Sequence, residues 1–360
     1  MPFLTANYGN PSSIHQEGRT TRAAIESARK TVASLIGAST GEIFFTSGGT
    51  ESNNMAIKCA VTDLGVQRII SSPAEHHCVK HSVEHLHDRG LVRVDMVKVD
   101  EFGVPDLASL EALLSSDNTP TLVTLMHANN ELGSLIDLNA VSALCRKYGA
   151  WLHSDTVQTI GHYKINVQET PVDFLSGAAH KFYGPKGVGF IYINHRCRIQ
   201  PLIDGGSQER NMRAGTENIS GIVGLSKAMQ LAYGELDQDI EHISSIKEYM
   251  KSKLLQACPG IKFNGHPDKS LYTVLNCSFP PGPQNDLMIL SLDIAGVSVS
   301  GGSACSSGAE TQSHVLQAIG HPSDRKAVRF SFSRTTTQED IDYAVDQVAG
   351  ILAGGVHAMT

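Results

Sequence analysis

GEIFFTSGGTESNNMAIKCAVTDLGVQRIISS, residues 41–72, reads as strand, helix, strand. Glu42–Thr46 and Arg68–Ser72 are short apolar runs, and Asn53–Leu64 between them repeats its apolar side chains at helical spacing. The same alternation extends outward from this stretch. Val92–Val99, Leu122–His127, Trp151–Asp155, Asp173–Ser176 and Gly189–Ile193 are further apolar runs, and Leu138–Tyr148 is another helical stretch. Several runs are almost unbroken Val, Ile, Leu and Phe, as strands covered on both faces should be. Seven such runs interleaved with helices predict an α/β fold with a mostly parallel seven-stranded sheet flanked by helices. Ser220 to about Ala257 then predicts one long helix. Beyond it, Tyr272–Phe279 and Val297–Ser300 predict strands and Gln338–Leu352 a late helix, together a smaller C-terminal α/β domain. A boundary inside the long helix gives a large domain over 1–237 and a small one over 238–360.

The composition fits that plan and removes whole classes of function. The chain has 360 residues, about two domains at roughly 150 residues each. With 41% hydrophobic and 18% charged residues it has the means to build a core, which a disordered chain lacks. Its 29 Lys+Arg against 36 Asp+Glu give a net charge of −7, and no basic block exists to neutralise phosphates. Nucleic acid and anionic membrane are therefore poor partners. No apolar run approaches the roughly 18 residues of a membrane span, and no signal peptide opens the chain. The seven cysteines are scattered and contain no C-x-x-C, which argues against a disulfide framework or zinc knuckle and for a reducing cytoplasm.

In an open parallel sheet, ligands bind beyond the carboxyl ends of the strands. Four of these ends carry concentrated polar residues. In Ser47-Gly48-Gly49-Thr50-Glu51-Ser52-Asn53 a strand runs into a helix; Gly48 and Gly49 allow close approach, Thr50 offers a hydroxyl, and the helix start favours an anion. A plain helix cap would read the same way. His127-Ala128-Asn129-Asn130-Glu131 could orient a ring substituent or merely cap the next helix. Asp155 closes an apolar strand, where a carboxylate needs a positive partner, either a protonated ring nitrogen or an ordinary arginine. His153 and Asp155 as metal ligands lack a third member. Lys181, in Ala179-His180-Lys181-Phe182-Tyr183-Gly184, follows an apolar strand and faces the mouth of the sheet; it is an amine nucleophile or a surface lysine. A phosphate cradle, a carboxylate for a ring nitrogen and a lysine for a Schiff base form the set that pyridoxal 5'-phosphate needs.

With these motifs the chain resembles the cysteine desulfurases, within the class V aminotransferase group of fold-type-I pyridoxal phosphate enzymes. The resemblance rests on Gly9 to Ser13, Phe45 to Asn54, Glu75-His76-His77, His127 to Gly133, His153 to Gln158, His180 to Gly187, Gln208 to Thr216 and Ser300 to Ser307, in family order. It implies that Lys181 bonds the cofactor aldehyde, Asp155 pairs with the pyridine nitrogen, and Gln158 and Asn130 reach the ring hydroxyl or substrate. It implies that Gly49, Thr50 and His180 hold phosphate, that His76 stacks on the ring and relays protons, and that Arg329 clamps the substrate carboxylate. Thr216 looks like a phosphate contact lent by a second subunit, which implies a homodimer. Cys305, in the small-residue loop Ser300 to Gly308, is the implied thiol that takes sulfur from L-cysteine as a persulfide and leaves L-alanine. The loop length resembles the iron–sulfur-cluster and nitrogen-fixation branch, whose sulfur passes to an acceptor protein.

Departures from the family pattern carry expectations of their own. Ala178 stands where the family places a phosphate-binding serine, and Ser176 on the same strand face is expected to substitute in part. The chain opens at Met1-Pro2-Phe3-Leu4, inside what is normally the first helix, and stops soon after Ala353-Gly354-Gly355, without the scaffold-docking tail of some relatives. Selenocysteine lyase, aminotransferase and an impaired paralogue serving as a partner subunit are the alternatives. His77, His81, His85 and His87 read as a solvated helix face, with no metal.

Overall fold

The computed structural model describes residues 2–302 and 313–354, and these fall into two compact units. The first unit comprises residues 1–98, 106–127 and 137–236; the second comprises 99–105, 128–136 and 237–360.

The first unit holds α1 (Pro2–Thr5), α2 (Gln16–Leu35), β1 (Ile43–Thr46), α3 (Gly49–Asp63), β2 (Arg68–Ser71), α4 (His77–Asp88) and β3 (Arg93–Met96). It continues with α5 (Leu107–Ser115), β4 (Thr121–Thr124), α6 (Leu138–Lys147), β5 (Trp151–Asp155), β6 (Phe174–Ala178), β7 (Gly189–Ile193), α7 (Gln208–Asn211) and α8 (Ile219–Gly234). Its seven strands lie in the order β1-β7-β6-β5-β4-β2-β3. The four pairings from β6 to β3 are parallel, while β7 runs antiparallel to both neighbours. Two reversals restore direction, so β1 points the same way as β6. The carboxyl ends of β1, β2, β4, β5 and β6 therefore share one edge of the sheet.

The expected unbroken apolar strands follow from this layering. Every residue of β1, β2, β4, β6 and β7 is buried, because helices cover both faces. Met55, Ile57 and Cys59 of α3 pack with Ile69, Val79, Val83, Leu122, Phe174 and Ile191 in one core. Helix α2 shows the other periodicity: it buries Ile25, Ala28, Arg29, Val32 and Ala33 on one stripe. At its start, His15 Nδ1 accepts from the Gly18 N–H at 3.2 Å, giving the first turn a partner.

The second unit holds α9 (Leu236–Ala257), β8 (Lys262–Asn264), β9 (Val274–Phe279), α10 (Met288–Ile294), α11 (His314–Ala318), β10 (Lys326–Ser331) and α12 (Gln338–Leu352). Its sheet is antiparallel, in the order β10-β9-β8. Helix α12 opens with a reciprocal capping box between Thr337 and Asp340.

Three expectations change. The single helix over 220–257 is two, because α8 ends at Gly234 and α9 starts at Leu236 with Asp237 and Asp239 in its first turn. A glycine weakens the helix at that point, and the acidic pair suits a fresh helix start. Val297–Ser300 forms no strand; only Ser300 bridges Arg329. The run over 92–99 contributes just Arg93–Met96, with exposed or half-exposed side chains as the outermost strand.

Candidate active site

Asp155 ends β5 and is only 5% exposed. Burial raises its carboxyl pKa, against the pull of the Val157 N–H, of the nearby His76, of the Asn53 amide and of the Lys181 charge. Each carboxylate oxygen has a donor: the Val157 N–H reaches Oδ1 at 2.9 Å and Asn53 Nδ2 reaches Oδ2 at 2.6 Å. The electrostatic influence of His76 and Lys181 brings three of the expected residues to one place. Lys181 lies on the 3₁₀ turn Ala179–Phe182 that leaves β6, and its carbonyl oxygen is fixed by His162 Nε2 at 2.8 Å. His180 on the same turn is held toward its neutral form by burial and then by Lys181 and Lys186.

Thr50 is exposed in the first turn of α3. The preceding Gly48 takes φ 155° and ψ −178°, a region in effect reserved for glycine. A Cβ on Gly49 would stand 2.5 Å from Val157 Cγ2, so the Gly48–Gly49 pair lets the helix start press against the loop after β5. Glu51 Oε2 reaches back to the Ser47 N–H at 3.0 Å and leaves the helix start facing the shared edge. Gln158 sits half-buried in the turn after β5.

The remaining expected residues lie elsewhere. Thr216 is exposed and lines a cavity with Ser47, Arg213 and Glu217, where Arg213 pairs with Glu51 at 2.9 Å. Asn130 and Arg329 belong to the second unit, where Arg329 Nη1 donates to the Asn130 carbonyl at 2.7 Å. Burial lowers the Arg329 pKa, opposed by the charge of Glu131, and among the described residues its Nε has no hydrogen-bond partner. Cys305 lies outside the described residues.

A family model for Aminotransferase class-V matches residues 1–344. The chain belongs to the class-V aminotransferase family. A cysteine desulfurase IscS of Dictyoglomus turgidum is 44% identical over 355 residues, covering 98% of this chain and 89% of its own length. Among solved structures, a NifS-like protein superposes with a TM-score of 0.90 at 36% identity, over 98% of this chain and 94% of that one. A structure described as SspA in complex with cysteine gives 0.80 at 29% identity, over 93% of this chain and 94% of that one. The fold is that of the fold-type-I enzymes.

The cofactor of this class-V aminotransferase family chain is pyridoxal 5'-phosphate, and the residues present fit it. The open start of a fifteen-residue helix with an exposed threonine hydroxyl suits a phosphate. Asp155, oriented by two N–H donors, suits a protonated ring nitrogen, and Lys181 acts on that carboxylate electrostatically.

One expectation fails. Ser176 is fully buried, and its hydroxyl lies 3.3 Å from His153 Nε2, inside the sheet and not at its mouth. It cannot replace the hydroxyl that Ala178 lacks.

The parts played by three side chains of the cluster escaped the sequence reading. Asn53 is fully buried and bridges Asp155 to Cys78, whose Sγ lies 3.2 Å from Asn53 Nδ2 and 3.0 Å from His76 Nδ1. Glu75, 1% exposed, accepts the Met126 N–H at 2.7 Å, and burial lifts its carboxyl pKa well above the usual range. Asn53 and Glu75 lie inside motifs the sequence displayed, but nothing local gave them these parts, and nothing local marked Cys78.

Proposed function

We propose that this chain is a pyridoxal-phosphate-dependent cysteine desulfurase that converts L-cysteine to L-alanine and carries the sulfur on Cys305 as a persulfide. The observation that carries the reading is the meeting of Asp155, His76 and Lys181 beside the start of α3 on the shared strand edge. The high identity to desulfurases over nearly the full chain supports it.

In this reading Gly49, Thr50 and His180 hold the phosphate, and Asp155 keeps the ring nitrogen protonated. Gln158 and Asn130 orient the ring substituent and substrate. The bound cofactor supplies a sink for the electron pair left on the substrate α-carbon. Lys181 takes the α-proton. Arg329 binds the substrate carboxylate through N–H groups not committed to Asn130, and a guanidinium is the right donor for a planar anion. The Cys305 thiolate then attacks the substrate sulfur: an S–S bond forms, the substrate C–S bond breaks, and protonation of the carbon fragment ends in alanine. Thr216 completes the phosphate site of a second copy in a homodimer, and the persulfide passes to an acceptor protein. No helix among the described residues is long and apolar enough to cross a membrane.

The test is incubation of the cofactor-loaded protein with L-cysteine and a thiol reductant. Wild type should release alanine and sulfide in equal amounts. Cys305→Ala should keep the cofactor absorbance and produce neither, and undiminished turnover by that variant would falsify the persulfide step.

A further inference from the structure

The buried polar groups around Asn53 form a hydrogen-bond chain whose direction can be read link by link. Burial pushes the His153 pKa down to about 3, so this imidazole is neutral and has one donor and one acceptor nitrogen. Asp155 accepts at 2.6 Å from the Asn53 side chain, which fixes Nδ2 toward the carboxylate and Oδ1 toward His153. Oδ1 can only accept, so the proton of His153 is on Nε2, 3.1 Å away. His153 Nδ1 then accepts the Thr124 hydroxyl at 2.8 Å.

On its other side, the Asn53 amide offers its second proton to Cys78 Sγ at 3.2 Å. Burial, then the nearby charge of Asp155, pushes the Cys78 thiol up to about 12 against hydrogen bonds with Asn53 and Thr50, so sulfur keeps its proton. A thiol that accepts from Asn53 has its own S–H to give, and His76 Nδ1 lies 3.0 Å away. The same nitrogen already receives the Cys78 backbone N–H at 3.2 Å, because His76 caps the start of α4. Two donors thus converge on Nδ1.

We propose that Cys78 is a positioning residue that, with its own backbone N–H, holds the His76 ring neutral with its proton on Nε2. This rests on the reading in which His76 borders the cofactor ring. It changes the part His76 plays there. A ring with Nδ1 occupied by two donors presents only an N–H to the cofactor side. It orients by donating, and leaves proton abstraction to Lys181. Protonating Nδ1 would set its N–H against both donors.

The test uses cofactor-loaded protein carrying ¹⁵N-labelled histidine, with the His76 signals assigned by their loss in His76→Gln. The expected wild-type spectrum shows a single Nε2–H tautomer. Cys78→Ser, which keeps a donor at the same place, should retain it. Cys78→Ala removes the shorter of the two donors, keeps the longer backbone contact, and should lose the single pattern to exchange between tautomers. A wild-type ring protonated on Nδ1, or an alanine variant indistinguishable from wild type, overturns the proposal. The spectra need no turnover, so absent desulfurase activity with the wild-type pattern present counts against the desulfurase reading and not against this pair.

Discussion

Glu75 is a carboxyl group folded into a place where it cannot easily ionise. It is 1% exposed, and burial followed by the charge of Asp155 raises its pKa well above the usual value, against one hydrogen bond from Met126. The unfolded chain lets the same group ionise near its ordinary pKa of about 4.3. The stability that the protonated group contributes is complete below that pH and is lost as pH rises toward the folded pKa, at up to about 1.4 kcal/mol per unit. Glu75→Gln mimics the protonated form, so its denaturation midpoint should match wild type near pH 4 and exceed it increasingly toward pH 8. A difference that stays constant with pH would mean the carboxylate is ionised in the folded protein. No reading of Ala74-Glu75-His76 alone could assign this state, because the burial and the Asp155 charge that enforce it, and the Met126 N–H that opposes it, arrive from elsewhere in the chain. Lys181 and Asp155, by contrast, were legible because each directly follows or closes an apolar strand and so had to lie at the sheet edge.

At the level of elements, the segment from α7 to Thr216 is held by a contact that the sequence hides. Glu209, Arg210 and Asn211 all adopt positive φ, at 44°, 58° and 64°, which costs non-glycine residues roughly 1–2 kcal/mol each. The compensation lies in Glu209. Its Oε2 accepts from Arg29 Nη1 and from the Phe45 N–H, each at 2.7 Å, and its Oε1 accepts from Arg29 Nη2 at 2.9 Å. Both partners are nearly fully buried, at 2% and 4% exposure. Removing Glu209 leaves the buried Arg29 guanidinium with only the half-exposed Glu26, 3.2 Å from its Nε, as counter-charge, so Glu209→Ala should cost about 3 kcal/mol. Arg210 pairs with Glu26 across an exposed surface, and Arg210→Ala should cost under about 1 kcal/mol. Urea midpoints of the two variants compare them directly; similar losses would show that the buried pair is no anchor. The sequence displayed Gln208 to Thr216 as a motif but not its anchorage, since no periodicity reports a bond between residues 29 and 209. Where an element is set by local chemistry, as with α12 and its Thr337 cap, the expected bounds over Gln338–Leu352 match the observed helix.

Across the whole molecule, the parallel sheet gathers strand ends that are far apart in the chain, and alternation of apolar runs was enough to foresee this. It was not enough to place Thr216, which lies exposed beside Ser47 and Arg213 and has no described link to Asp155 or Lys181 in its own chain. If a second copy receives Thr216, the site is shared, and symmetry makes the consequence measurable. Lys181→Ala protomers lack the lysine but offer an intact Thr216; Thr216→Val protomers have the lysine but lend no hydroxyl. Either homodimer alone should be inactive or weak at limiting cofactor. Mixed after dissociation, half of the dimers should be hybrids, each with one fully wild-type site and one doubly defective site. Activity should then recover to about a quarter of wild type. If Thr216 instead served its own protomer, every hybrid site would contain at least one defect, and mixing would restore nothing.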